Sequence, residues 1–220
     1  MTKLYKLTNK KHQTRNNTQW GEGITHTASG SGELCSGGWL HAYTDPLLAV
    51  LLNPIHAAIK HPVLWECEGE VGKSDHGLKV GCARLTTIRQ IELPVITCEQ
   101  RVTWAILCVL GVYKYASFSA WAADWMSGKD RSEVAADRAA LDARSARSAS
   151  PYAAEAAAYA AARTADAAAS IAHAVDAYDA DVYDYAYAVD AAAICVADAV
   201  SVAASAYEID LAGIAKKAMS

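Results

Sequence analysis

Residues 151–206 read PYAAEAAAYAAARTADAAASIAHAVDAYDADVYDYAYAVDAAAICVADAVSVAASA, and after Pro151 neither glycine nor proline recurs before Gly213. Alanine is the best helix former and the two strongest breakers are missing, so this stretch predicts helix almost throughout. Ser150-Pro151 supplies an N-cap followed by proline at the first helical position. Upstream, Ser127-Gly128 ends the preceding element, and Asp130-Arg131-Ser132-Glu133 has capping-box spacing, which predicts an earlier helix over 132–149. From Lys129 onward 36 of 92 residues are alanine, whereas twelve of the thirteen glycines and four of the five prolines precede that point. The chain therefore changes character near Gly128.

A period runs through the tract that alanine content alone would not produce. Val175, Val182, Val189 and Val196 are seven apart, with Ile171, Tyr178, Tyr185, Ala192 and Ala199 interleaved, an a/d seam. Asp176, Asp184, Asp190 and Asp198 fall at b or c and Asp166 at f. A lone alanine-rich helix buries too little area to support itself, so the seam needs a neighbour. That neighbour is the first alanine helix, the second half of the tract after a turn near Asp179-Ala180-Asp181, or another copy of the chain. Self-association through Val175, Tyr178, Val182, Tyr185, Val189 and Val196 is the expectation, with rod and hairpin both open.

Charge separates with composition. Residues 151–220 hold ten acidic and three basic side chains, net −7, which leaves net +3 for residues 1–150 of a chain whose total is −4. An acidic helix studded with tyrosines imitates a nucleic-acid backbone and suits a basic groove on a protein partner. Asp179, Asp181 and Asp184 are the candidate phosphate imitators, Tyr183 and Tyr187 the candidate contacts, and Asp176 a further partner-binding candidate. Direct nucleic-acid binding is not expected, because this segment lacks the cations that neutralise phosphates.

Over the whole chain, 220 residues with 53% hydrophobic content suffice for a core and exclude disordered and collagen-like classes. The longest apolar run, residues 104–113, is half of the roughly 20 residues that a membrane-spanning helix needs. The first residues alternate polar with apolar and have no apolar signal region. No membrane association is expected, and a bacterial cytoplasmic location is. Six cysteines without a CxxC pair read as small buried hydrophobes. No metal site and no cofactor is proposed.

The first part reads as a small α+β domain over 1–98, with residues 99–128 as a helical extension of its core and 129–220 as the acidic tail. Leu4–Thr8 alternate as a first strand; Asn9–Gly38 is polar and glycine-rich; Gly38–Tyr43 is a short strand. Thr44-Asp45-Pro46 starts a helix to about Leu52, and Asn53-Pro54 and His61-Pro62 flank a second short helical piece. Val63–Val71 alternates Trp65, Cys67 and Gly69 against Glu66, Glu68 and Glu70, a strand with an acidic outer face. Leu78–Cys82 and Thr86–Leu93 add two strands. Helices follow from Glu99 to about Tyr115 and from Ser117 to Met126, with Trp104, Leu107, Leu110, Trp121 and Trp125 as their apolar stripe.

In order, Leu4-Tyr5-Lys6, Gly38-Trp39-Leu40-His41-Ala42-Tyr43-Thr44-Asp45-Pro46-Leu47, Trp65-Glu66-Cys67-Glu68-Gly69-Glu70-Val71, Leu78-Lys79-Val80 and Ile88-Arg89 resemble an uncharacterised family of small phage and prophage domains. The resemblance covers about residues 3–93, and such domains often precede alanine-rich tails. It implies a phage setting and brings no catalytic residues with it.

Three constellations bear on chemistry. Glu66-Cys67-Glu68 and Glu68-Gly69-Glu70 both have the ExE spacing by which ADP-ribosyltransferases orient a substrate nucleophile, with Glu68 or Glu70 as the candidate catalytic group, yet Lys6 stands where that fold expects arginine or histidine. His41 and Tyr43 share one strand face and, with Asp45, His56 and His61, are candidate acid-base or nucleotide-binding groups. Ser29-Gly30-Ser31-Gly32 lacks the lysine and helix of a phosphate loop. The expectation is a non-catalytic accessory protein that binds a host protein complex, self-associates, and inhibits a bacterial defence or nucleic-acid-processing system. The alternatives are an ADP-ribosyltransferase-like enzyme and a nucleotide sponge.

Overall fold

A computed structural model describes residues 1–147, 152–176 and 182–220 and divides them into two compact units. One comprises Met1–Val95 with Asp210–Ala212; the other comprises Ile96–Ile209 with Gly213–Ser220. The expected α+β class is observed.

The first unit contains β1 (Thr2–Thr8), β2 (Thr25–Thr27), β3 (Leu40–Ala42), α1 (Pro46–His56), β4 (Val63–Asp75) and β5 (Lys79–Ile91). The strands form one antiparallel sheet in the order β1-β4-β5-β2, and β3 also pairs with β5. Tyr5 and Tyr43 exchange both backbone hydrogen bonds at 2.8 Å, so the chain just after β3 reaches the free edge of β1. β1, β4, β5 and β3 thus complete a closed circuit. Closure needs strong curvature, and the β4–β5 ladder supplies it with irregularities at Glu66/Cys67, Glu70/Val71 and Val71/Lys73. Inside lie Leu4, Trp20, Ala42, Trp65, Cys67, Val80, Cys82 and Leu85.

Three expectations need correction here. Leu78–Cys82 and Thr86–Leu93 are one strand, because Ala83-Arg84-Leu85 continue the ladder opposite β4 with Leu85 buried. The polar 9–38 region contains β2, whose threonines pair with Thr86 and Arg84. No separate helical piece follows Asn53-Pro54, since α1 runs through Pro54 to His56. Proline forfeits one backbone bond there, and the helix ends within a turn, where the Asn53 carbonyl accepts from both Ala57 and Ala58. The start of α1 is as expected: the Asp45 carboxylate accepts from the Leu47 N–H at 2.9 Å, and Pro46 begins the helix.

The second unit is helical: α2 (Cys98–Val112), α3 (Ala116–Met126), α4 (Glu133–Arg147), α5 (Tyr152–Asp176), α6 (Val182–Ala206), and most of α7 (Leu211–Met219). Thr97 and Gln100 form a reciprocal capping box on α2. α2 and α3, expected as an extension of the first domain, pack on the alanine helices: α2 on α5 and α6, and α3 on α4. Trp104, Trp121 and Trp125 are buried, and Leu107 and Leu110 half-buried.

Side-chain pairs and a short connection fix the helix directions. Arg144 meets Asp166 and Glu133 meets His173, so residue numbers rise along α5 as they fall along α4, and the two helices are antiparallel. α5 and α6 pack against each other and only five residues separate them, too few to carry the chain back along a 25-residue helix, so they are antiparallel as well, and Tyr159 and Arg163 both reach Asp198. The alanine tract is therefore a bundle within one chain. α6 buries Ala192, Ala193, Val196, Ala197, Ala199, Val200, Ala203 and Ala204, a wider face than the expected a/d seam. The face is wide because both α5 and α2 pack against it. Its stretch Val189–Ala206 is long and apolar enough to cross a membrane by length and composition.

Candidate functional site

Alternation along β1 decides the interior of the first unit. Leu4, Lys6 and Thr8 share one face and Leu4 is fully buried, so Lys6 is carried inside with it. The Lys6 ammonium donates to the His41 carbonyl at 2.8 Å and lies 4.5 Å from the centroid of the Trp20 ring. Burial lowers its pKa to about 8, while the nearby Cys67 and Cys82 oppose that shift. Burial also pushes the Cys67 thiol up to about 12 and the Cys82 thiol up to about 11. Both cysteines are inert as nucleophiles near neutrality. Cys108 is likewise buried, Cys98 and Cys195 are partly so, and Cys35 is exposed, contrary to the general expectation for the six.

The five groups proposed as acid-base machinery part company. Tyr43 and His56 come together: the phenol oxygen is 3.2 Å from Nδ1, and the rings stack 5.8 Å apart at 22°. Burial drives the Tyr43 phenol pKa up and lowers that of His56 to about 4. Neutral His56 thus offers Nδ1 as acceptor to the phenol donor. His41 instead donates from Nε2 to the Leu34 carbonyl, which assigns its tautomer, and burial lowers its pKa as well. Asp45 caps α1, and His61 occupies an exposed turn with a φ of 50°.

Glu68 and Glu70 are exposed on the outer face of β4, opposite Thr86 and Arg84 of β5. Their neighbour Glu66 takes Lys3 at 3.1 Å and Arg89 at 2.9 Å, which holds its carboxyl below the usual range. The expected acidic outer face is present, as a cross-strand charge lattice.

In the tail, Val175 and Asp176 end α5, and Val182, Tyr183, Asp184, Tyr185 and Tyr187 belong to the start of α6. Tyr178, Asp179 and Asp181 lie outside the described residues. Val189 is half-buried, and Val196 is buried in the bundle of its own chain. Asp198, expected on a solvated face, accepts from Tyr159 at 2.9 Å and pairs with Arg163 at 3.3 Å.

Two features went unread in the sequence. Lys6 as a core residue was visible in its alternation with Leu4. A cleft of about 440 Å³ in the helical unit, walled by Tyr113, Tyr115, Tyr207 and Lys114, left no local signal, since its residues come from separate helices and loops. Among the described residues no three His, Cys, Asp or Glu side chains are grouped to hold a metal ion. Compared with family models, curated proteins and solved structures, the chain gives no match in any of the three.

Proposed function

We propose that this chain is a non-catalytic accessory protein of phage type that binds a protein complex in the bacterial cytoplasm and inhibits a defence or nucleic-acid-processing system. The observation that carries the non-catalytic reading is the engagement of the candidate catalytic groups. His56 is bonded to Tyr43, and His41 to the Leu34 carbonyl. Glu68 and Glu70 project from an open strand face.

The binding surface in this reading is the acidic stretch 176–187 of the tail. Asp179, Asp181 and Asp184 stand in for phosphates, Asp176 is a further partner contact, and Tyr183 and Tyr187 add contact area. Asp176 ends α5 and Asp184 lies in the first turn of α6, with five residues between the two helices, which supports a local concentration of negative charge there. Self-association, if it accompanies binding, falls to Val175, Tyr178, Val182, Tyr185 and Val189, because Val196 is used inside the chain.

The test is co-purification of the tagged intact chain from phage-sensitive bacteria, with mass determination by light scattering. A stoichiometric complex is expected, lost on combined Asp179→Lys, Asp181→Lys and Asp184→Lys and retained in Glu68→Gln. NAD consumption by the purified chain that disappears in Glu68→Gln or Glu70→Gln would replace this reading with the transferase one.

A further inference from the structure

The first 21 residues contain Lys3, Lys6, Lys10, Lys11 and Arg15 and no carboxylate; Glu22 is the first acid in the chain. Lys10, Lys11 and Arg15 fall within an eleven-residue excursion, Asn9–Gln19, between β1 and the buried Trp20. All three are exposed, and none makes an ion pair among the described residues.

The excursion is braced along its length. The Asn9 side-chain oxygen accepts from the N–H groups of Lys11 and Gln13, each at 2.9 Å. The Gln19 side-chain amide donates to the carbonyls of Lys11, His12 and Trp20 at 3.0, 3.4 and 3.2 Å. Thr14 N–H donates to the Thr18 carbonyl at 3.0 Å, and the Trp20 indole, anchored in the core, donates to the Thr14 hydroxyl at 2.9 Å. His12, Asn16 and Asn17 have positive φ values of 58°, 60° and 56°. A left-handed backbone at three non-glycine residues persists only when its surroundings over-determine it. These bonds fix the backbone that carries the three cations, so little backbone entropy remains to be lost when they meet a partner.

We infer that the Asn9–Gln19 excursion is a sequence-independent contact for the phosphate backbone of a nucleic-acid duplex. Its side chains are Lys, Arg, Asn, Gln, Thr and His, types that bond phosphate and sugar oxygens. It offers no exposed aromatic platform, which single-strand binding requires, because Trp20 and Trp65 are buried. It also lacks the apolar residues that would enter a lipid surface. The acidic tail gave the expectation of no nucleic-acid contact; the opposite end of the sequence has the opposite composition.

The test is fluorescence anisotropy of the intact chain with a labelled 20-base-pair DNA duplex, from about 25 to 150 mM salt. Binding should weaken with salt at a log–log slope of about −3, one phosphate for each cation. Lys10→Gln, Lys11→Gln and Arg15→Gln combined should lower affinity at least tenfold at low salt with an unchanged thermal melt, since all three are exposed. Each single change should reduce the slope by about 1. Absence of duplex binding at 25 mM salt overturns the inference, as does a triple variant that binds like the parent. Capture by phosphatidylserine vesicles without duplex binding overturns it in favour of a membrane. None of these outcomes depends on the tail, so this reading and the partner-binding one fail separately.

Discussion

The Lys6 ammonium is enclosed in the closed sheet 4.5 Å from the centre of the Trp20 ring, with the His41 carbonyl as its hydrogen-bond acceptor at 2.8 Å. A charge held by one carbonyl and one aromatic face is only partly compensated for lost water. Its pKa of about 8 in the fold, against 10.5 for a free lysine, expresses that deficit. Between those two values the unfolded chain binds the proton that the folded one has released, so the contribution of Lys6 to stability rises with pH across that window. The full swing is about 3 kcal/mol. Denaturant midpoints at pH 7, 8, 9 and 10 should show Lys6→Met gaining most over the parent at pH 7 and losing that advantage by pH 10. The difference between the two proteins is the quantity to read, because Cys67 and Cys82 lose stability above pH 9 in both. An advantage that does not shrink with pH would place the Lys6 charge outside the core.

His56 titrates with the same sign, in a window on the acid side. Its folded pKa is about 4 and its free value 6.5, so the unfolded chain takes up a proton first as pH falls. Stability should therefore drop from pH 6.5 to 4 and level off below. Screening at the exposed edge of the ring limits the loss to about 1–2 kcal/mol. His56→Gln should flatten that limb of the profile. Tyr43→Phe removes only the 3.2 Å bond to Nδ1 and should cost about 1 kcal/mol at neutral pH, measured by chemical denaturation.

Legibility in the sequence followed the range of the interactions involved. The alanine helices were readable because propensity is local, and the Asp45 cap lies where Thr44-Asp45-Pro46 suggested, while the Ser150-Pro151 start lies outside the described residues. The paired strand β4 was readable from strict alternation. Closure of the sheet was not, because it depends on Tyr5 meeting Tyr43 across 38 residues. Antiparallel stacking of α4 and α5 was undetermined for the same reason, since alanine faces fit one another in several arrangements and the choice is marked by sparse pairs such as Arg144–Asp166 and Glu133–His173. His41 and Tyr43 looked like a joint site by alternation alone. Their ring and hydroxyl partners, Leu34 and His56, lie in different segments that the pattern could not connect.

Two glycines make opposite predictions. A methyl group at Gly69 would come within 2.9 Å of Leu4 and Leu85 side-chain carbons and 3.0 Å of the Cys82 sulfur. These neighbours fill the closed sheet, so Gly69→Ala should destabilise by about 1–3 kcal/mol. A methyl group at Gly111, near the end of α2, meets nothing within 4 Å. Gly111→Ala should stabilise by about 0.5–1 kcal/mol through the reduced entropy of the unfolded chain. Thermal melts of the two variants should shift in opposite directions.

Asp198 joins two groups of α5 at one carboxylate oxygen, Tyr159 at 2.9 Å and Arg163 at 3.3 Å. Alanine packing between α5 and α6 is smooth and admits sliding by a turn, whereas a shared acceptor fixes one register. Asp198→Ala should therefore cost about 1–2 kcal/mol. It should also raise hydrogen exchange along Ala192–Ala204, where α6 faces α5 and α2, while leaving β4 and β5 protected. Asp198→Ala and Tyr159→Phe combined should cost less than the sum of the two single changes, because their shared bond is counted in both. Full additivity of the two changes in a double-mutant cycle would mean that Tyr159 and Asp198 act independently and that the alanine faces alone set the register.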